Sequence, residues 1–172
     1  VTDRQRYIQY QISASSSDNL YSPVFQSIDI SYALTPTYTL NYIAGTGGTL
    51  TGSTTQMIYS GDDGSAVSAQ PNTGYYFVDW SDGVTTTSRT DTNITDDLTV
   101  TSSFAINTYT LAYSAGTGGS ISGSSSQTIN YGSDGDAVTA VPANGYAFSR
   151  WSDDSTDNPR TDTNITANLS VN

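Results

Sequence analysis

Apolar and polar residues alternate with a period of two along much of this chain. In TYTLNYIA, residues 37–44, Tyr38, Leu40 and Tyr42 fall on one face and Thr39 and Asn41 on the other. That is the pattern of a half-buried strand and not of a helix with its 3.6-residue period. LTVTSSFA, residues 98–105, alternates in the same way. Gly45-Thr46-Gly47-Gly48 and Gly61-Asp62-Asp63-Gly64 interrupt the alternation with residues that tolerate positive φ, so they read as turns. Abundant Ser, Thr and Gly oppose a long helix. The pattern predicts strands near 37–43, 49–59, 65–70 and 75–80, a long polar loop, and a strand near 98–106.

The same pattern then begins again. Arg89 to Thr95 reads RTDTNIT, and so does Arg160 to Thr166; the offset of 71 also links Tyr38 with Tyr109, Tyr75 with Tyr146 and Trp80 with Trp151. Aligned without a gap, residues 37–101 and 108–172 share 37 identities in 65 positions. These are two copies of one unit. The chain therefore divides into residues 1–36, a first module at 37–107 and a second at 108–172. Residues 1–36 match neither copy. RYIQYQISAS and PVFQSIDISYAL flank a turn-like SSSDNLYSP and predict a β-hairpin, one that resembles the last two strands of a bacterial extracellular β-sandwich of the laminin-G or galactose-binding kind. Thr35-Pro36-Thr37 reads as a short linker stiffened by the fixed φ of proline.

Composition narrows the chemistry. Among 172 residues there is no Cys and no His, and every base is Arg and every acid Asp. That excludes Ser-His-Asp and Cys-His nucleophiles, His- or Cys-bound zinc, disulfides, and lysine Schiff bases or isopeptide crosslinks. A net charge of −11 disfavours nucleic acid and anionic membrane as partners. No apolar run approaches the roughly 20 residues of a membrane-crossing helix. Val1 to Tyr10 is charged and alternating, unlike a signal peptide, and reads as cut from something longer.

The order Y-T-L-x-Y-x-A-G-T-G-G, a Q…G…A-V-x-A-x-P stretch, G-Y-x-F-x-x-W-S-D, R-T-D-T-N-I-T and a closing strand resembles the divergent internalin-type B-repeat family of bacterial surface proteins over residues 37–172. The resemblance implies an all-β chain of two tandem, small β-grasp-like modules in a secreted or cell-surface protein. It implies stalk or adhesive repeats, and it carries no catalytic set to transfer.

Individual residues fit that expectation. Arg89 and Asp91, with Arg160 and Asp162, lie on one side of extended chain where they can pair, and Asn93 and Asn164 suit a turn, so these six are expected to structure a loop. Asn93, Asn164 and Asn168 also sit in N-x-S/T triplets, read here as coincidence. Tyr75, Phe77, Trp80, Tyr146, Phe148 and Trp151 could stack on sugars, but units this small must spend such aromatics on their cores, and core is the expectation. Asp62, Asp63, Asp134, Asp136, Asp153, Asp154 and Asp157 offer hard oxygen ligands suited to calcium, bound adventitiously, in neither the EF-hand nor the nonapeptide spacing. No catalytic residue, cofactor or tightly held metal is expected.

The expected role is a non-catalytic structural or adhesive segment, outside the cell or on its surface. Its expected partners are neighbouring repeats or copies of itself, with a host or matrix protein or a glycan as a further class. A carbohydrate-binding accessory region of a secreted enzyme is the alternative, and a filament subunit assembled by strand exchange a third. The second copy reaches only Leu169-Ser170-Val171-Asn172, whereas the counterpart of Phe104 would be position 175. The expectation is that the protein continues past Asn172 or that a neighbouring molecule supplies the missing strand.

Overall fold

Tyr38, Leu40 and Tyr42 do turn inward together, and the strand that carries them is the centre of the first module. A computed structural model describes residues 35–172, so the hairpin expected within 1–36 lies almost wholly outside the described residues. In chain order the first module contains β1 (Thr37–Ala44), β2 (Gly48–Thr51), β3 (Thr55–Tyr59), β4 (Val67–Pro71), β5 (Tyr75–Trp80), β6 (Ser88–Arg89) and β7 (Leu98–Ile106). The main sheet runs β3-β1-β7-β5, with β1 and β7 parallel at its centre and both outer pairs antiparallel. A smaller antiparallel sheet, β2-β4-β6, faces it. No helix occurs among the described residues.

The core lies between these two sheets. Leu40, Tyr42 and Val100 from the main sheet meet Val67 and Ala69 from the smaller one around Trp80, with Ile94 closing one side. β7 is the longest strand because its two halves serve different neighbours. Leu98 to Ser102 pair with β1, and Ser102 to Ile106 pair with β5, across a register shift between Phe77 and Trp80. Phe104 thereby comes to lie against Phe77, their ring centroids 5.9 Å apart, and over Gly48, where a Cβ would run into its ring.

The second module repeats the plan with β8 (Thr108–Tyr113), β9 (Gly119–Ser122), β10 (Ser126–Asn130), β11 (Thr139–Pro142) and β12 (Leu169–Val171). Leu111 faces Leu169 across β8 and β12 just as Leu40 faces Leu98 across β1 and β7. Its core gathers Leu111, Tyr113, Val138, Ile165 and Val171 around Trp151. One element differs. Residues 146–151, aligned with β5, form no strand, because the counterpart of the Ser102–Ile106 half of β7 would lie at 173–177.

Only Asn107 separates β7 from β8. Its N–H donates to the Gly74 carbonyl at 2.8 Å and its carbonyl accepts from the Tyr131 N–H at 2.8 Å, so the link is bonded to both modules. The Tyr131 ring covers Gly74, which has φ of 83° and no room for a Cβ. Only glycine combines that φ with that contact.

Candidate functional site

The duplicated heptapeptide marks the most organised polar cluster in each module. β6 pairs Arg89 with Val67 of β4 and so turns a charged residue into the layer between the sheets, leaving Arg89 only 8% exposed. A guanidinium that deep must be matched on most of its donors. Nη1 and Nη2 hold Asp82 at 3.0 and 2.8 Å, and Nε and Nη2 hold Asp91 at 3.0 and 2.6 Å. The Tyr42 hydroxyl donates to Asp91 Oδ2 at 2.7 Å. The guanidinium carbon lies 5.2 Å from the Trp80 ring centre and 5.9 Å from that of Tyr42, within reach of a cation–π interaction. Trp80 Nε1 donates to the Thr86 carbonyl at 3.0 Å.

The electrostatics follow from this packing. Burial alone works against the charge on Arg89, yet the bonds to Asp91 and Asp82 outweigh it and raise its pKa further. The Arg89 hydrogen bond holds the Asp82 carboxyl below the usual carboxylate range. Burial pushes Asp91 upward, but its bonds to Arg89 and Tyr42 leave it lowered overall. Burial, then the bond to Asp91, moves the Tyr42 hydroxyl well above its ordinary value. The clamp consequently holds two ionised carboxylates and a neutral phenol, and none of these groups is poised to exchange protons near neutral pH.

Module 2 rebuilds the clamp group for group. Arg160 holds Asp153 at 3.1 and 2.9 Å and reaches Asp162 through Nε at 3.0 Å. Tyr113 donates to Asp162 at 2.6 Å, and Trp151 Nε1 donates to the Asp157 carbonyl at 2.8 Å. The remainder of the heptapeptide pins the neighbouring loop. Asn93 and Asn164 both have φ of 51°, and their N–H groups donate to Asp63 and Asp134, each at 2.8 Å. Ile94 and Ile165 drop into the cores beside them.

Of the six residues expected to structure a loop, Arg89 and Arg160 pair with Asp91 and Asp162, and Asn93 and Asn164 take the left-handed conformation beside them. Trp80 and Trp151 are buried at equivalent places, and Phe77 and Phe148 pack half-buried against the cores. The tyrosines depart from expectation. Tyr75 is half-buried outside the core cluster, and Tyr146 is 60% exposed, because no strand pairs with its segment. Four of the seven calcium candidates make other contacts: Asp153 pairs with Arg160, Asp154 with Arg150, and Asp63 and Asp134 cap backbone. Among the described residues no three acids come together as a cation site.

Sequence reasoning missed Asp82, Asp153, Tyr42 and Tyr113 as clamp members, and also Gln56 and Gln127. Gln56 is buried and bridges three backbone groups, donating to the Ser53 and Ser65 carbonyls and accepting from the Ser65 N–H. All six are identical between the two copies, and that was the available signal.

A family model, the divergent InlB B-repeat domain, matches residues 38–108 and again 109–172. The chain belongs to the divergent InlB B-repeat domain family. The two matches fall on the two modules, so the clamp is built once per B-repeat, and the family association is with repeats of bacterial surface or secreted proteins. No curated protein and no solved structure gave a significant match.

Proposed function

We propose that this chain is a non-catalytic spacer segment of a bacterial surface or secreted protein, in which tandem B-repeats set the reach of whatever they carry. The observation that supports this reading best is the junction at Asn107. A one-residue link bonded on both sides, with Tyr131 packed on Gly74, resists bending far better than a free linker, whose ends wander as the square root of its length. The clamps serve the same end, since each ties the two sheets of its module through a buried ion pair. The carbohydrate-binding alternative loses its strongest candidates, because Trp80 and Trp151 are inside. The neighbouring repeat is thus the first partner of each module.

The junction is testable directly. The chain has no cysteine, so Thr54→Cys with Ser125→Cys, exposed and equivalent in the two modules, places one spin label on each. Pulsed dipolar spectroscopy is expected to give one narrow distance distribution, and inserting four glycines after Asn107 should broaden it severalfold. A native distribution as broad as that of the insertion variant rules out the spacer reading.

A further inference from the structure

The two modules repeat each other inside and differ outside. The main sheet of module 1 turns Leu40, Tyr42 and Val100 toward the smaller sheet, and its other face carries Ile43, Met57, Tyr59, Tyr76 and Val78, all exposed. At an offset of 71 these five become Ser114, Thr128, Asn130, Ala147 and Ser149, whereas Leu40, Tyr42, Trp80 and Val100 recur unchanged as Leu111, Tyr113, Trp151 and Val171. The fold does not ask for the apolar set. Thr128 and Asn130 stand in β10 opposite Thr110 and Thr108, in the register that Met57 and Tyr59 hold in β3 opposite Thr39 and Thr37. Exposed apolar side chains that the fold can do without, gathered on one sheet face, mark a contact surface.

Charge and size decide what fits it. β1, β3 and β7 contain no charged residue, and the one in β5, Asp79, lies in the irregular stretch between Phe77 and Trp80. Carboxylates begin at the rim, where Asp97 precedes β7 and its Oδ1 accepts from the Thr39 N–H at 2.7 Å. Module 1 has seven Asp against one Arg, so copies of this chain repel one another over most of their surface and can meet across this face without opposing carboxylates. A ligand of B-repeats in general would find the same face on both modules, whereas a pairing of copies needs it once per chain. Two flat, uncharged sheet faces pack as the layers of a sandwich do, about 10 Å apart with their side chains interdigitated. We propose that the outer face of the main sheet of module 1 is a self-association surface that joins two copies of this chain face to face. Tyr59 on β3 and Tyr76 on β5 anchor its two edges. Four strands span about 19 Å, and five or six residues of each about 18 Å, so each copy offers about 350 Å² before side-chain relief. The pair therefore falls below the roughly 1,200 Å² of a standard interface, and it is weak and reversible. The same patch serves both copies, so the contact closes at a dimer. This goes beyond the spacer reading, which a strictly monomeric chain would leave intact.

Analytical ultracentrifugation of the full 172-residue chain tests this. The mass is expected to be that of one chain at about 1 µM and to approach two, without going further, at about 1 mM. Raising NaCl from about 0.05 to about 0.5 M should strengthen the association severalfold, because each copy carries −11 and the joined faces carry no charge. Two double variants locate the contact. Met57→Thr with Tyr59→Asn installs residues that β10 already accommodates, and Tyr76→Thr with Val78→Thr keeps good strand formers in β5. Each pair should weaken the dimer at least tenfold, with native urea unfolding at about 1 µM showing that the modules remain folded. A chain still monomeric at about 1 mM refutes the proposal. So does a dimer that either folded double variant leaves at native strength, since it would use another surface. A mass that climbs past two chains contradicts the closed, face-to-face contact.

Discussion

Arg89 reaches back seven residues to hold Asp82 by both terminal nitrogens, Nη1 to Oδ1 at 3.0 Å and Nη2 to Oδ2 at 2.8 Å. The contact spans the turn and loop between β5 and β6, so it fastens the end of the main sheet to the edge of the smaller one. Asp91, two residues further on, completes the enclosure from the other side. The clamp is thus a tie between layers, and its partners are not equal. Asp91 is the more enclosed, while the Asp82 side chain keeps 35% of its exposure and is correspondingly screened.

That asymmetry predicts a ranking. Arg89→Met strands Asp91 in a partly buried site and is expected to cost on the order of 3–5 kcal/mol of unfolding free energy. Asp82→Asn leaves the guanidinium paired with Asp91 and is expected to cost about 1 kcal/mol. Urea unfolding followed by tryptophan fluorescence measures both, and equal losses would refute the unequal sharing described above.

The clamp also predicts the pH range of stability. Asp82, Asp91 and Asp153 are held below the usual carboxylate range in the folded state, so the unfolded chain binds more protons as the solution is acidified. Their contribution is fully present above the ordinary carboxyl pKa of about 3.9 and is lost as pH falls through the lower folded values. Tyr42 and Tyr113 are shifted the opposite way, chiefly by burial, so their contribution is present below about 10 and is lost as pH rises beyond it. Thermal melts are expected to be flat between about pH 5 and 9 and to fall on both sides. In Tyr42→Phe the alkaline fall should be shallower, and an unchanged alkaline limb would disprove this assignment.

Half of the clamp was legible before the fold was known. Arg-x-Asp in extended chain places Arg89 and Asp91 on one side by local geometry alone, and the structure pairs them. Asp82 has no such local relation to Arg89, because a turn and an irregular loop intervene, and only the shared Asp82 and Asp153 hinted at it. The neighbouring positions 79 and 83 change between the copies, to Arg150 and Asp154, whereas 82 does not. Tyr146 teaches the reverse. Its residue type is identical to Tyr75, yet its burial depends on a strand elsewhere in the chain, which matching two copies position by position does not reveal. The short β6 escaped prediction because two residues carry no periodicity.

Phe104 tests whether the two halves of β7 serve their neighbours separately. Phe104→Ala removes the ring that covers Gly48 and packs on Phe77, and a half-buried aromatic of this kind is expected to cost about 2 kcal/mol. Amide exchange should then rise across Tyr75–Phe77, where β5 is laddered to β7, and remain slow across Leu40–Ala44, which pairs with the other half of β7. Uniform acceleration of both segments would show that β7 does not serve its two neighbours separately.

The junction yields the last prediction. Gly74 has φ of 83° and lies under the Tyr131 ring, so any Cβ there meets two penalties at once. Gly74→Ala should cost about 1 kcal/mol from the backbone conformation alone. Displacing Tyr131 would add to this and would weaken the hydrogen bonds that hold Asn107 between the modules. Tyr131→Ala removes the steric conflict and leaves the φ penalty, so the double variant should recover part of the stability lost by Gly74→Ala, relative to Tyr131→Ala alone. A double-mutant cycle measured by urea unfolding reads that coupling, and the pulsed dipolar distance between labels at positions 54 and 125 reads the geometry. Strict additivity, with the distance distribution unchanged in Gly74→Ala, would mean that the Tyr131 contact does not set the angle between the modules. Coupling together with a broadened distribution in the single variant would show that one aromatic ring on one glycine holds the two repeats in line.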